Sequence, residues 1–117
     1  MYQKFAQAYQ SKNLNSVLRT MTQQWQASDG SGLADLEDTL RNSFRVFDVI
    51  QFRIDGLQVK KAGSDTYNVS YAATLSGRIN RLNIKHEETS NVQDVVKLTP
   101  DGPRIVKTQG NVTIKAK

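Results

Sequence analysis

The run Tyr67-Asn68-Val69-Ser70-Tyr71-Ala72-Ala73-Thr74-Leu75-Ser76-Gly77-Arg78-Ile79 alternates without a break. Tyr67, Val69, Tyr71, Ala73, Leu75, Gly77 and Ile79 take one face, and Asn68, Ser70, Ala72, Thr74, Ser76 and Arg78 take the other. That period of two is the signature of a long strand with one side on a core. The next run repeats it, with Leu82, Ile84, His86, Glu88, Ser90, Val92, Asp94, Val96 and Leu98 on one parity. A two-residue turn at Asn80-Arg81 would set Ile79 against Leu82 and bring both apolar parities to one side of the sheet. The same register places Leu75 opposite His86, Ala73 opposite Glu88, Tyr71 opposite Ser90, and Tyr67 opposite Asp94.

Further hairpins extend the pattern in both directions. Pro100-Asp101-Gly102 reads as a three-residue loop with Gly102 at positive φ. It sets Thr99 opposite Pro103 and Val96 opposite Val106, and puts Val106, Thr108, Gly110, Val112 and Ile114 on the core face. Pro103, which has no N–H, is tolerated as the first residue of a strand. Upstream, Ile50, Phe52 and Ile54 share one parity while Leu57 and Val59 share the other. A strand over about 48–61 with a β-bulge at Asp55-Gly56 accounts for that switch.

The N-terminal half has helical spacing instead. Phe5, Ala8 and Tyr9, then Leu14, Val17, Leu18, Met21 and Trp25, predict two helices or one kinked helix over about 3–26, with Asn13 capping the second segment. After the breaker Ser28-Asp29-Gly30-Ser31-Gly32, the stripe Leu33, Leu36, Leu40, Phe44 and Phe47 predicts another helix. Ser31 is its expected cap, and Asp35, Glu37 and Asp38 complement its dipole. Helices followed by consecutive hairpins give an α+β domain over residues 1–117, with N-terminal helices packed on a strongly curved, antiparallel four-stranded meander.

At 117 residues the chain is of one-domain size and buries roughly two-thirds of its unfolded surface. With no Cys, disulfides and thiolate chemistry are removed. The charge is +5, and it is uneven: residues 1–58 carry six Lys/Arg and six Asp/Glu, residues 59–117 ten and five. The meander divides these cations into Lys60, Lys61 and Lys97 at one end and Arg78, Arg81 and Lys85 at the other. Duplex binding needs a continuous stripe, so no nucleic-acid partner is expected. No apolar run reaches the ~20 residues of a membrane helix, so no membrane insertion is expected. Met1-Tyr2-Gln3-Lys4 leads into an amphipathic stretch and not the apolar core of a signal peptide. A surface rich in Gln, Asn, Ser and Thr without cysteines suits an extracytoplasmic, periplasmic bacterial domain. Phosphate loops, nucleophile elbows and HExxH motifs are missing, and one His with scattered carboxylates gives no metal-ligand spacing. Neither a metal nor a cofactor is expected.

Three sets of residues resemble the NTF2-like (SnoaL-like, cystatin-like cone) superfamily. They are Phe5-x3-Tyr9 with Asn13-Leu14-x2-Val17-Leu18; Leu36-x3-Leu40-x3-Phe44 followed by Ile50-x-Phe52-x-Ile54-x2-Leu57-x-Val59; and the terminal Asp101-Gly102-Pro103-Arg104-Ile105. The resemblance implies a sheet that wraps a helix around a conical pocket. It implies no single activity, since this fold hosts isomerases, cyclases, dehydratases and non-catalytic modules. Pro103 stands where the family often has an aromatic, and the helices carry no counterpart of its catalytic Asp/His pairs.

The register puts His86, Glu88, Ser90 and Asp94 on the core face, with Thr108 flanking Asp94. Polar groups there must be hydrogen-bonded, solvated in a pocket, or lifted off the face by a bulge or rim at Glu87–Asn91. Tyr67, Tyr71 and Trp25 could line the same pocket, because an aromatic body with a polar tip suits a concave ligand site. With no complete catalytic set, the expected function is a non-enzymatic NTF2-like accessory domain of a larger bacterial protein. It would bind a small polar ligand or a protein partner in or around its cone, as a monomer or weak homodimer. The alternative is a SnoaL-like lyase or isomerase using His86 with Glu88 or Asp94 as acid and base, which requires the ring and a carboxylate within ~3.2 Å.

Overall fold

A computed structural model describes residues 1–114. Its elements are α1 (Tyr2–Gln10), α2 (Leu14–Leu18), β1 (Met21–Ala27), α3 (Leu33–Val46), β2 (Val49–Lys61), β3 (Thr66–Ile79), β4 (Ile84–Thr99) and β5 (Gly102–Gln109). Residues 115–117, with the cations Lys115 and Lys117, lie outside the described residues. Asn13 caps α2, its side chain accepting from the Ser16 N–H at 3.2 Å. The cap of α3 is Gly32 and not Ser31, with the Asp35 carboxylate accepting the Gly32 N–H. Ser31 instead bonds back to Asp29, closing the turn before the helix.

The five strands form one sheet in the order β1-β5-β4-β3-β2. The expected four-stranded antiparallel meander, β2 through β5, is present, and a fifth strand joins it in parallel beside β5. That strand is the segment read as the end of a helix. Met21 and Trp25 lie four residues apart, which fits one face of a helix and one face of a strand equally. Helix α2 stops at Leu18, the Thr20 carbonyl accepts the Ile105 N–H at 2.7 Å, and the chain continues extended with Met21 and Trp25 turned to the core.

The bend between β3 and β4 is longer than a two-residue turn. Asn80–Leu82 form a single 3-10 turn, Asn83 adopts φ 51°, and Ile79 pairs with Ile84. The Asp48 carboxylate accepts the Asn80 N–H at 2.6 Å and ties the bend to the start of β2. Two added residues move every partner by two and leave every side chain on its expected face. His86 therefore faces Gly77, Glu88 faces Leu75, Ser90 faces Ala73, and Asp94 faces Val69.

The β4–β5 turn is shorter than the expected three residues, with Thr99 paired to Gly102 and Leu98 to Pro103. A register shift at Val95/Val96 then restores the expected pairing of Asp94 with Thr108, and Ile105, not Val106, faces Val96 and the core. The bulge at Asp55–Gln58 stands where the parity switch put it, with Gly56 at φ 65°. Strand β5 ends at Gln109, so Gly110, Val112 and Ile114 are not strand residues. Val112 and Ile114 are nonetheless buried in the core.

Helices α1 and α3, with this tail, pack on the concave face. Phe5, Tyr9 and Phe52 form the aromatic centre, with ring centroids 4.7 to 5.3 Å apart. Val59 shares the concave face by pairing with buried Val69, yet it is 58% exposed, and Leu57, in the bulge, is 46% exposed.

Candidate functional site

Among the described residues Asp94 is the one buried carboxylate, 2% exposed in the middle of β4. Its carboxylate is enclosed by hydroxyls from three elements. Tyr2 of α1 donates to Oδ2 at 2.7 Å, Tyr71 of β3 donates to Oδ2 at 2.9 Å, and Thr108 of β5 donates to Oδ1 at 2.8 Å. Thr108 in turn accepts the Trp25 indole N–H at 3.0 Å, which links β1 to the same network. The rings of Tyr2 and Tyr71 meet edge to face, with centroids 5.2 Å apart.

Burial pushes the Asp94 carboxyl above its ordinary value, and the hydrogen bonds from Tyr2, Thr108 and Tyr71 pull part of the way back. Burial and then the adjacent Asp94 charge drive the Tyr2 and Tyr71 hydroxyls far above the ordinary tyrosine range. The two tyrosines are therefore fixed donors, and with Thr108 they present three hydroxyls to the Asp94 carboxylate as acceptor.

The sequence candidates divide accordingly. Trp25, Tyr71 and Asp94 come together through Thr108. Tyr67 is half-buried against the core and pairs with Val96. His86 is half-buried, its ring edge to face with Phe47 at 5.9 Å. Along the strand it sits eight residues from Asp94, about 26 Å at the usual rise. The Glu88 carboxylate is exposed and accepts from the Asn111 side chain at 2.9 Å, while the Ser90 hydroxyl accepts the Asn111 backbone N–H at 3.0 Å. These two fasten the segment after β5 to the sheet. Tyr2 is the member of the network that the sequence reading missed. The signal was its place three residues before Phe5 on the apolar stripe of α1.

A cleft of about 290 Å³ opens beside the network, between the start of α3, the 28–31 turn and residues 110–113, with Trp25 and Thr108 in its wall. A groove of about 720 Å³ lies on another side, between α1, α2 and the β4–β5 turn. Among the described residues no three His, Cys, Asp or Glu side chains group as a metal site would require. No described helix is long and apolar enough to cross a membrane.

No protein-family model matches the chain, and no curated protein sequence matches it. Solved structures do. A proposed scytalone dehydratase from Novosphingobium aromaticivorans superposes with TM-score 0.84 at 9% identity, covering 97% of this chain and 79% of that one. A nuclear transport factor 2 (NTF2-like) superfamily protein from Salmonella enterica gives 0.77 at 10% identity, over 99% and 88%. An NTF2-like protein with a cystatin-like fold, also from N. aromaticivorans, gives 0.69 at 14% identity, over 93% and 75%. The fold is the NTF2-like cone, as the sequence resemblance implied, and at these identities the likeness is one of fold.

Proposed function

We propose that this NTF2-like cone is a non-enzymatic module that binds a partner on its outside, its interior serving as the structural centre. The observation that supports this reading is the occupancy of Asp94. Two tyrosine hydroxyls and a threonine hydroxyl already meet a carboxylate that is 2% exposed. A general base needs a lone pair within reach of a substrate proton, and here three of the carboxylate's roughly four acceptor positions are taken while the group itself is closed off from solvent. The packing around it is that of a core, with Phe5, Tyr9, Leu75, Val92, Ile105 and Ile114 all but fully buried.

The alternative, lyase or isomerase chemistry by His86 with Glu88 or Asp94, needs the imidazole beside a carboxylate. His86 instead packs on Phe47, far along the strand from Asp94, while Glu88 bonds Asn111.

Trp25 is the sole tryptophan and touches the network, so its emission reports on the interior. Titration with small phenols and carboxylic acids should leave that emission unchanged, and acrylamide should quench it poorly. A saturable change in Trp25 emission with any of these compounds would overturn the reading in favour of a ligand-holding cone.

A further inference from the structure

Resting on that surface-binding reading, we infer that the partner is an acidic, amphipathic segment of another protein. It would be held by the groove between α1, α2 and the β4–β5 turn together with the bare end of the concave face. The groove, about 720 Å³, is lined by Lys4 of α1, Arg19 at the end of α2 and Arg104 of β5, against one acid, Asp101. Among the described residues none of the three cations forms an ion pair. Among the described residues the guanidinium of Arg104 donates to the neighbouring Pro103 carbonyl alone, at 3.1 Å. Three unpaired cations around one concavity set a positive potential that walls of low dielectric concentrate, and carboxylates are its complement.

The second half of the surface is apolar. Leu98 of β4 is 46% exposed on the concave face, and Val59, 58% exposed, lies on the same face two strands away on β2 with Leu57, 46% exposed, beside it in the chain. Leu98 pairs with Pro103, which lines the groove, so the charged and apolar parts share a border. A segment with carboxylates on one side and aliphatic side chains on the other satisfies both. Oligo-glutamate would satisfy the groove alone, and a lipid tail or aromatic ligand the apolar end alone.

Fluorescence anisotropy of the full chain with a labelled peptide of mixed Glu and Leu tests this. Binding should be saturable and weaken as salt rises. It should fall on the order of tenfold in Arg19→Glu/Arg104→Glu, where attraction becomes repulsion at two positions. Leu98→Ser should weaken this peptide and leave the residual affinity for oligo-glutamate unchanged. Lys85→Glu, at the far end of the sheet, should change neither, and matched melting temperatures show that all the variants fold. Tighter binding of a single-stranded oligonucleotide lost in the same Arg19/Arg104 variant would overturn the inference in favour of nucleic acid. Concentration-dependent dimers in light scattering, abolished by Leu98→Ser, would overturn it in favour of a second copy. Absence of peptide binding with Trp25 silent to small ligands overturns this occupant alone; a Trp25 response overturns the surface-binding reading beneath it.

Discussion

Asp94 shows how one side chain can be costly to bury and still hold a core together. Its carboxyl is pushed above its unfolded value near 3.8 by burial. Across the interval between the two values the folded state keeps a proton that the unfolded chain has released. Stability therefore declines as pH rises through that interval and is lowest above it. Asp94→Asn should flatten this dependence, which urea midpoints measured from acid to neutral pH would register; parallel curves for the two proteins would disconnect Asp94 from it. Tyr71→Phe removes one of the three donors from the charged form and should cost about 1.5–3 kcal/mol above the pH at which Asp94 ionises. The cost should shrink in acid, where the carboxyl carries its own proton. Gly77 presents a different constraint. A Cβ there would lie 2.6 Å from the Phe47 ring, against which His86 also packs. Gly77→Ala should lower stability by about 1–3 kcal/mol through overpacking. Gly56 has open space around it but φ 65°, so Gly56→Ala should cost about 1 kcal/mol, from backbone strain alone.

For a strand, parity decides the face, but cover decides burial. Val59 and Val69 are direct partners on the concave side, one 58% exposed and one 3%. Val69→Asp should unfold the domain or cost more than about 3 kcal/mol, because it buries an unpaired carboxylate. Val59→Asp should cost little, as should Ser70→Asp on the opposite face. Thermal melts of the three variants would rank them, and a Val59→Asp loss comparable to that of Val69→Asp would mean that the end of β2 is covered after all. Alternation made the faces of β3 and β4 legible in the sequence, and a bend longer by two residues preserved them. The change of parity at Gly56 likewise gave the bulge. Spacing failed at Met21 and Trp25, where four residues suit helix and strand alike. The β-branched Thr20 and Thr22 were the local hint for a strand. What stabilises that strand is pairing with β5, some 80 residues later, and no local pattern carries such a partner. The candidate site was half legible for the same reason. Parity brought Asp94, Tyr71 and Thr108 to one face, and the eight-residue spacing already set His86 far from Asp94 on a single strand; what the sequence did not carry was which stretch of that face the helices cover.

At the scale of the whole molecule the sheet outgrows its helices. Strand β4 has 16 residues and spans about 53 Å if straight, whereas the 14 residues of α3 span about 21 Å and the 9 of α1 about 14 Å. The molecule measures 49 × 27 × 25 Å, so strand length sets its long axis and the core occupies only the middle. Leu57, Val59 and Leu98 stand bare at one end, Val49, Leu82 and Ile84 at the other. Local stability should follow this geometry, because amides open most readily where few buried contacts hold the strands. In native-state hydrogen exchange, the paired amides around Val69–Leu75 and Val92–Val96 should exchange last, close to the global unfolding rate. Those of Gln58–Lys61 and of Lys85–Glu87 should exchange orders of magnitude sooner. If the bare end beside Leu98 receives a partner segment, saturating peptide should slow the amides of 57–61 and 97–104 and leave 84–87 untouched. Uniform slowing along the whole sheet would instead mean that the peptide stabilises the fold globally, without seating at that end.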